Sequence, residues 1–130
     1  MSGSPAFFRA LVAPLIKNTQ SLGSIRHIFT GGGRVFSSDI DALNSAFPEA
    51  TITIVYGSTE AEPIATLDAL NAHEKLVLGE REGRGALVGH AVPEVSIRVV
   101  DDEIWVSGEH VNKGYYQSPQ HDEESKVNDA

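Results

Sequence analysis

TITIVYGSTEAEPIA, residues 51–65, opens as an alternating run of β-branched residues and breaks at Tyr56 into small and acidic ones. β-Branched side chains suit an extended backbone, so Thr51 to Tyr56 reads as a strand. Immediately upstream, SSDIDALNSAF (37–47) places Ile40, Leu43 and Phe47 on one face of a helix, capped by Ser37 or Ser38 and ended by Pro48. Before it, SIRHIFTGGG (24–33) reads as a short strand, Ile25 to Thr30, stopped by Gly31, Gly32 and Gly33. Strand, helix and strand with short joints make a βαβ unit, whose two strands run parallel through a right-handed crossover. In such sheets ligands sit beyond the carboxyl ends of the strands. Both TGGG and YGSTE fall there, and the two loops are predicted to face each other.

Working outward, SPAFFRALVAPLIKN (4–18) has Phe7, Leu11, Leu15 and Ile16 at helical spacing, with Ser4 as N-cap and Pro5 at the first helical position. Pro14 is predicted to bend or end this helix. Residues 66–90 mix a short helical piece with a Gly-rich polar stretch and read as a mobile connection. EVSIRVV (94–100) and EIWVSGEHV (103–111) are alternating strands whose Asp101-Asp102 joint signals a hairpin. NKGYYQSP makes a turn, and QHDEESKVNDA is a polar tail with no hydrophobic face. The predicted fold class is α/β: a βαβ portion of a parallel sheet with flanking helices, then a β-hairpin or partial β-barrel segment. The expected divisions are an α/β part over 1–88, a β-rich part over 89–120 and the polar tail over 121–130.

Composition narrows the function. A chain of 130 residues, 41% hydrophobic and 22% charged, is of the size and composition of one globular domain. A formal charge of −8 argues against general affinity for nucleic acid or anionic membrane, so any bound anion must be held locally. There is no cysteine, which excludes disulfides and thiolate chemistry and is compatible with a cytoplasmic setting. No apolar run approaches the roughly 20 residues of a membrane helix, and no signal-peptide pattern opens the chain.

Each candidate site has a bland counterpart. Gly31, Gly32 and Gly33 let backbone amides approach a flat or anionic group, or simply form a flexible strand-to-helix turn. They match neither a Walker loop nor a dinucleotide fingerprint. The glycines 79, 83, 85 and 89 have no strand leading into them and read as loop. His73, in HEKLV, lacks the second histidine of a zinc helix. YGSTE combines more exacting residue types. Tyr56 offers a face on which a nucleobase could stack, worth about 1–3 kcal/mol by analogy with single-strand binders. Gly57 permits a sharp turn, the Ser58 and Thr59 hydroxyls can donate to phosphate oxygens, and the Glu60 carboxylate can hold Mg²⁺ bridging to those phosphates. The alternative is a strand end that caps a following helix.

In their order, IRHIFTGGG, FPEATITIVYGSTEAEPIA, LVGHAVPEVSIRVVD and EIWVSGEHVNKGYY resemble the middle of the adenylate-forming enzymes, which include acyl-CoA synthetases, luciferases and peptide-synthetase adenylation domains. The resemblance spans about residues 4 to 120. It implies that Gly31, Gly32, Gly33 and Arg34 line the adenine and acyl pocket. It implies too that Tyr56 stacks on adenine, with Gly57 and Ser58 beside it, that Thr59 contacts phosphate and that Glu60 binds magnesium. The implied reaction activates a carboxylic acid, fatty-acyl or other, with ATP to an acyl-adenylate, CoA being the expected acceptor. Thr59 and Glu60 are the expected catalytic residues.

Departures qualify the match. Arg34-Val35 stands where an Ala-Pro-like pair is common, and the family's threonine in its Pro-Glu-x-Thr segment is replaced around Asp122. SPAFF, TGGG and the compact Asp101-Asp102 hairpin together resemble the fatty-acyl ligases related to the β-lactone synthetases of olefin biosynthesis. The family's phosphate loop, ribose-binding Thr-Gly-Asp and catalytic lysine are absent from these residues. The expectation is therefore a fragment of an AMP-forming ligase, inactive alone and prone to homo-oligomerise through uncovered edges. The alternative is a free-standing nucleotide-binding or interaction module without chemistry.

Overall fold

Ile28, Ile52 and Ile54 lie on one face of a mixed sheet and are almost wholly excluded from solvent, because two helices cover that face. The computed structural model describes residues 1–117 together with Gln120 and Lys126. The last two residues of the turn predicted over 112–119, most of the polar tail and the departure near Asp122 lie outside the described residues.

In chain order the elements are β1 (Ser2–Gly3), α1 (Pro5–Lys17), β2 (His27–Gly31), α2 (Ser37–Ala46), β3 (Thr51–Ser58), β4 (Ala61–Asp68), α3 (His73–Arg81), β5 (His90–Ala91), β6 (Val95–Val100) and β7 (Glu103–Gly108). Strands β1 to β5 form one sheet in that order, and β6 with β7 forms a separate ribbon. β1, β2 and β3 are mutually parallel, as the βαβ reading requires. β4 and β5 then add antiparallel, so the sheet is mixed rather than purely parallel.

α3 is the short helical piece predicted within 66–90, whereas β4, whose end at Thr66–Asp68 enters that stretch, was not expected. AEPIATLD carries a proline and no clean alternation, yet its residues pair with β3 from Thr53↔Asp68 to Tyr56↔Ala65 and again at Ser58↔Ala61. Pro63 falls in the irregularity between those two registers, where no ladder bond is asked of it. β2 begins at His27, two residues later than predicted, and extends through Gly31.

α1 runs past Pro14 to Lys17, because the proline sits on the solvent face near the helix end. Its inward residues are Phe8 and Val12, supported by Leu11 and Leu15, whereas Phe7 and Ile16 are exposed. Ser4 caps it as predicted, accepting from the Phe7 N–H at 3.2 Å. α2 buries Ile40, Leu43 and the following Phe47. Its cap is Phe36 rather than a serine: the Asp39 carboxylate accepts from the Phe36 N–H at 2.9 Å, and Ser37 is engaged elsewhere. The hairpin at Asp101-Asp102 is as predicted, both residues having left-handed φ of 49° and 64°. A smaller core of Ala61, Ile64 and Val95 joins this ribbon to the sheet.

Candidate functional site

β2 and β3 run parallel with Gly31 opposite Val55, so the loops leaving their carboxyl ends emerge side by side. One carries Gly32, Gly33 and Arg34 after Gly31 ends β2; on the other side β3 runs on through Tyr56, Gly57 and Ser58, two residues beyond the predicted strand end, before the turn at Thr59 and Glu60, so both lie at the same end of the sheet. The backbone is close here. A Cβ on Gly31 would lie 2.2 Å from the Val55 carbonyl oxygen, so the residue is glycine for strand packing as well as for any ligand. Gly32 has φ of +71° and open space around it, and Gly33 faces Pro5 at the start of α1.

YGSTE does not cap a helix. Ser58 pairs with Ala61, leaving Thr59 and Glu60 at the tip of a tight β-hairpin. Gly57 is required beneath that tip, since a Cβ there would meet the Ala61 carbonyl oxygen at 2.8 Å. Thr59 and Ser58 are exposed, and Glu60 is half-buried. Tyr56 is also half-buried and packs against the smaller core, so its ring is braced from behind.

The Glu60 carboxylate accepts a bond from the Tyr115 hydroxyl. That bond, with lesser ones from the Ser58 hydroxyl and the Glu60 backbone N–H and with the charge of Lys126, holds its carboxyl below the ordinary range and outweighs the opposing effect of burial. Glu60 is thus an anion at neutral pH. Among the described residues no three potential ligands cluster, so the chain offers a cation this carboxylate without a cage. That suits Mg²⁺, which is commonly held by one or two carboxylates while nucleotide phosphates and water complete its shell.

The Arg34 guanidinium stands 5.1 Å from the centre of the Phe36 ring, with Arg9 5.8 Å from the same ring. The N-terminus of α2 is already occupied by carboxylates, since Asp39 takes the Phe36 N–H and Glu80 takes that of Ser37 at 2.6 Å. The glycine loop is therefore not a helix-end phosphate cradle of the Walker kind.

Tyr115 and Asn112 were missed, because NKGYYQSP reads locally as a turn. Two adjacent aromatics in a polar segment were the one signal available. Asn112 donates its backbone N–H to the Glu60 carbonyl at 2.6 Å, which ties that segment to the hairpin tip.

A curated relative, D-alanine–D-alanyl carrier protein ligase of Lactococcus lactis, is 30% identical over 94 residues, covering 72% of this chain and 18% of the relative. 4-Coumarate–CoA ligase 1 of Solanum tuberosum is 26% identical over 120 residues, covering 83% and 21%. The chain thus spans about a fifth of the length of the curated relatives it matches. The crystal structure of VinN superposes with a TM-score of 0.74 at 25% identity, over 93% of this chain and 31% of that one. Unliganded O-succinylbenzoate coenzyme A synthetase from Bacillus subtilis shares the fold, with a TM-score of 0.73 at 23% identity over 98% and 26%. Because a model of the AMP-binding enzyme matches residues 1–116, nearly all of what the structure describes, the chain belongs to the AMP-binding enzyme family.

Proposed function

We propose that this chain is the nucleotide-facing region of a longer ligase that activates a carboxylic acid with ATP, releasing pyrophosphate and forming an acyl-adenylate. The observation that supports it is the emergence of the glycine loop and the Tyr56 to Glu60 turn from adjacent parallel strands, in a chain of this family. In this reading Tyr56 stacks on adenine, and Gly31 to Arg34 line the adenine and acyl pocket. Thr59 donates to phosphate, and Glu60 would hold Mg²⁺ with Gly57 and Ser58 shaping the turn. Bound Mg²⁺ would neutralise charge on the phosphoryl group. The chain's own contribution is to bind and orient, through a braced ring, an exposed hydroxyl and an anionic carboxylate.

The matched relatives are named for different acceptors, a carrier protein in one case and CoA in the other. CoA remains our choice of acceptor. ATP and CoA as substrates fit a cytoplasmic site of action. The proposal takes residues 1–88 as the α/β part and 89–120 as the start of a β-rich unit.

Carboxylate-dependent ATP–pyrophosphate exchange tests it. The 130-residue chain alone should show none, and Glu60→Gln in the full-length ligase should lower exchange by on the order of 10²-fold, since the metal loses a charged ligand. Undiminished exchange in that variant would sink the role of Glu60. Robust exchange by the chain alone would overturn the reading of it as one region of a larger site.

A further inference from the structure

The bond from Tyr115 to Glu60 spans 55 residues and joins the segment after β7 to the tip of the β3–β4 hairpin. Several contacts seat that segment. A His110 ring nitrogen meets the Pro63 carbonyl at 2.9 Å, and Val111 packs on the smaller core. The Asn112 N–H holds the Glu60 carbonyl at 2.6 Å, and the Asn112 side chain accepts from the Gly114 N–H at 2.8 Å. The second of these turns the chain so that Tyr115 returns over the hairpin tip. The Lys126 Nζ lies 6.0 Å from the centre of the Tyr115 ring.

Besides Tyr115, the Glu60 carboxylate meets the Ser58 hydroxyl and its own backbone N–H, both within the hairpin tip, so of these three bonds only that from Tyr115 comes from a distant segment. No cage of further ligands constrains the carboxylate among the described residues. We propose that Tyr115 is a positioning residue, whose hydroxyl holds one carboxylate oxygen of Glu60 so that the other is presented to the divalent cation accompanying the nucleotide. This rests on the reading of Glu60 as the metal carboxylate. Tyr115 itself does not touch the cation: its protonated hydroxyl donates, and an ionised carboxylate keeps ample accepting capacity on its second oxygen. Hydrogen-bonded partners that orient a ligating group commonly change metal affinity by 10- to 100-fold.

The test compares the chain with Tyr115→Phe, Glu60→Gln and the double variant. Three-bond NMR couplings report whether the Glu60 side chain occupies one rotamer. Water-proton relaxation reports uptake of Mn²⁺ added with ATP in place of Mg²⁺. The expected results are one Glu60 rotamer in the wild type and averaging in Tyr115→Phe, with about tenfold weaker Mn²⁺ uptake. Adding Tyr115→Phe to Glu60→Gln should cause no further loss. Phenylalanine keeps the ring and removes one hydrogen bond, so the melting temperature should fall by a few degrees at most. A Tyr115→Phe chain that unfolds much earlier marks the residue as merely structural and overturns the proposal. A Glu60 rotamer indifferent to Tyr115→Phe overturns it whatever Mn²⁺ does, and tighter Mn²⁺ uptake in that variant overturns it by making Tyr115 a competitor. Mn²⁺ uptake unaffected by Glu60→Gln, or absent from the wild type at millimolar metal, removes the metal reading and the destination of the positioned oxygen. The rotamer comparison then still decides separately whether Tyr115 orients the carboxylate.

Discussion

The carboxylate of Glu80 accepts from both the backbone N–H of Ser37, at 2.6 Å, and its hydroxyl, at 2.7 Å, across 43 residues of sequence. This places a negative charge at the positive end of α2 and docks α3 against its first turn. The loop from Gly31 to Phe36 is thereby fixed at its far end.

Glu80→Ala leaves both Ser37 donors without this partner and should lower stability by about 1–2 kcal/mol in urea unfolding. Because Leu76 is the one buried residue of α3, amide exchange across His73 to Arg81 should accelerate as well. Unchanged protection of α3 would show that its docking does not depend on this contact.

Gly31 and Gly32 should respond differently to alanine. At Gly31 the new Cβ would sit 2.2 Å from the Val55 carbonyl oxygen, forcing β2 and β3 apart at a cost of about 2–3 kcal/mol. At Gly32 there is open space, and only the left-handed φ opposes the change, at about 1 kcal/mol. Equal losses in the two variants would contradict the close approach at Gly31.

Asp39 carries a pH dependence whose sign can be stated. Burial is the largest single influence and favours its neutral form, but the Arg9 hydrogen bond, the Phe36 N–H and the Arg9 charge together pull its pKa below the ordinary value. A carboxyl depressed in the folded state adds stability that is complete above the unfolded pKa, near 3.9, and vanishes as pH falls through the folded value. Asp39→Asn should cost about 1–2 kcal/mol at pH 7, and the deficit should shrink on acidification below about pH 4. Urea midpoints measured from pH 7 to pH 2 check this. A deficit that stays constant over that range would remove the charge from the explanation.

Val99 and Ile104 face each other in the ribbon and are 71% and 53% exposed, beside Ile97 at 38%. An uncovered apolar face of this kind recruits other chains. Sedimentation at tens of micromolar should show species larger than the monomer, dispersed by Val99→Lys with Ile104→Lys. If the double variant associates as the wild type does, strand edges rather than this face are responsible.

The elements legible in the sequence are those whose cause is local. A β-branched run makes Thr51 to Tyr56 a strand, Pro48 closes α2, and two aspartates that tolerate left-handed φ turn the β6–β7 hairpin. The Tyr56 to Glu60 motif was legible for the same reason, its residue types being contiguous. Tertiary structure decided the rest. AEPIATLD becomes a strand because β3 offers it a partner, not because its own composition favours one. Phe8 rather than Phe7 turns inward because α1 must fit against both the sheet and α2. The Glu80 cap on Ser37 and the Tyr115 bond to Glu60 join residues 43 and 55 positions apart, and no local window carries the free energy that brings them together. The sequence by itself determined the contiguous residue types, Tyr56 to Glu60, on which the proposed nucleotide and cation roles rest. Only the packing of the ribbon against the sheet and of α3 against α2 decided how those side chains are held, because orientation comes from hydrogen bonds between distant segments.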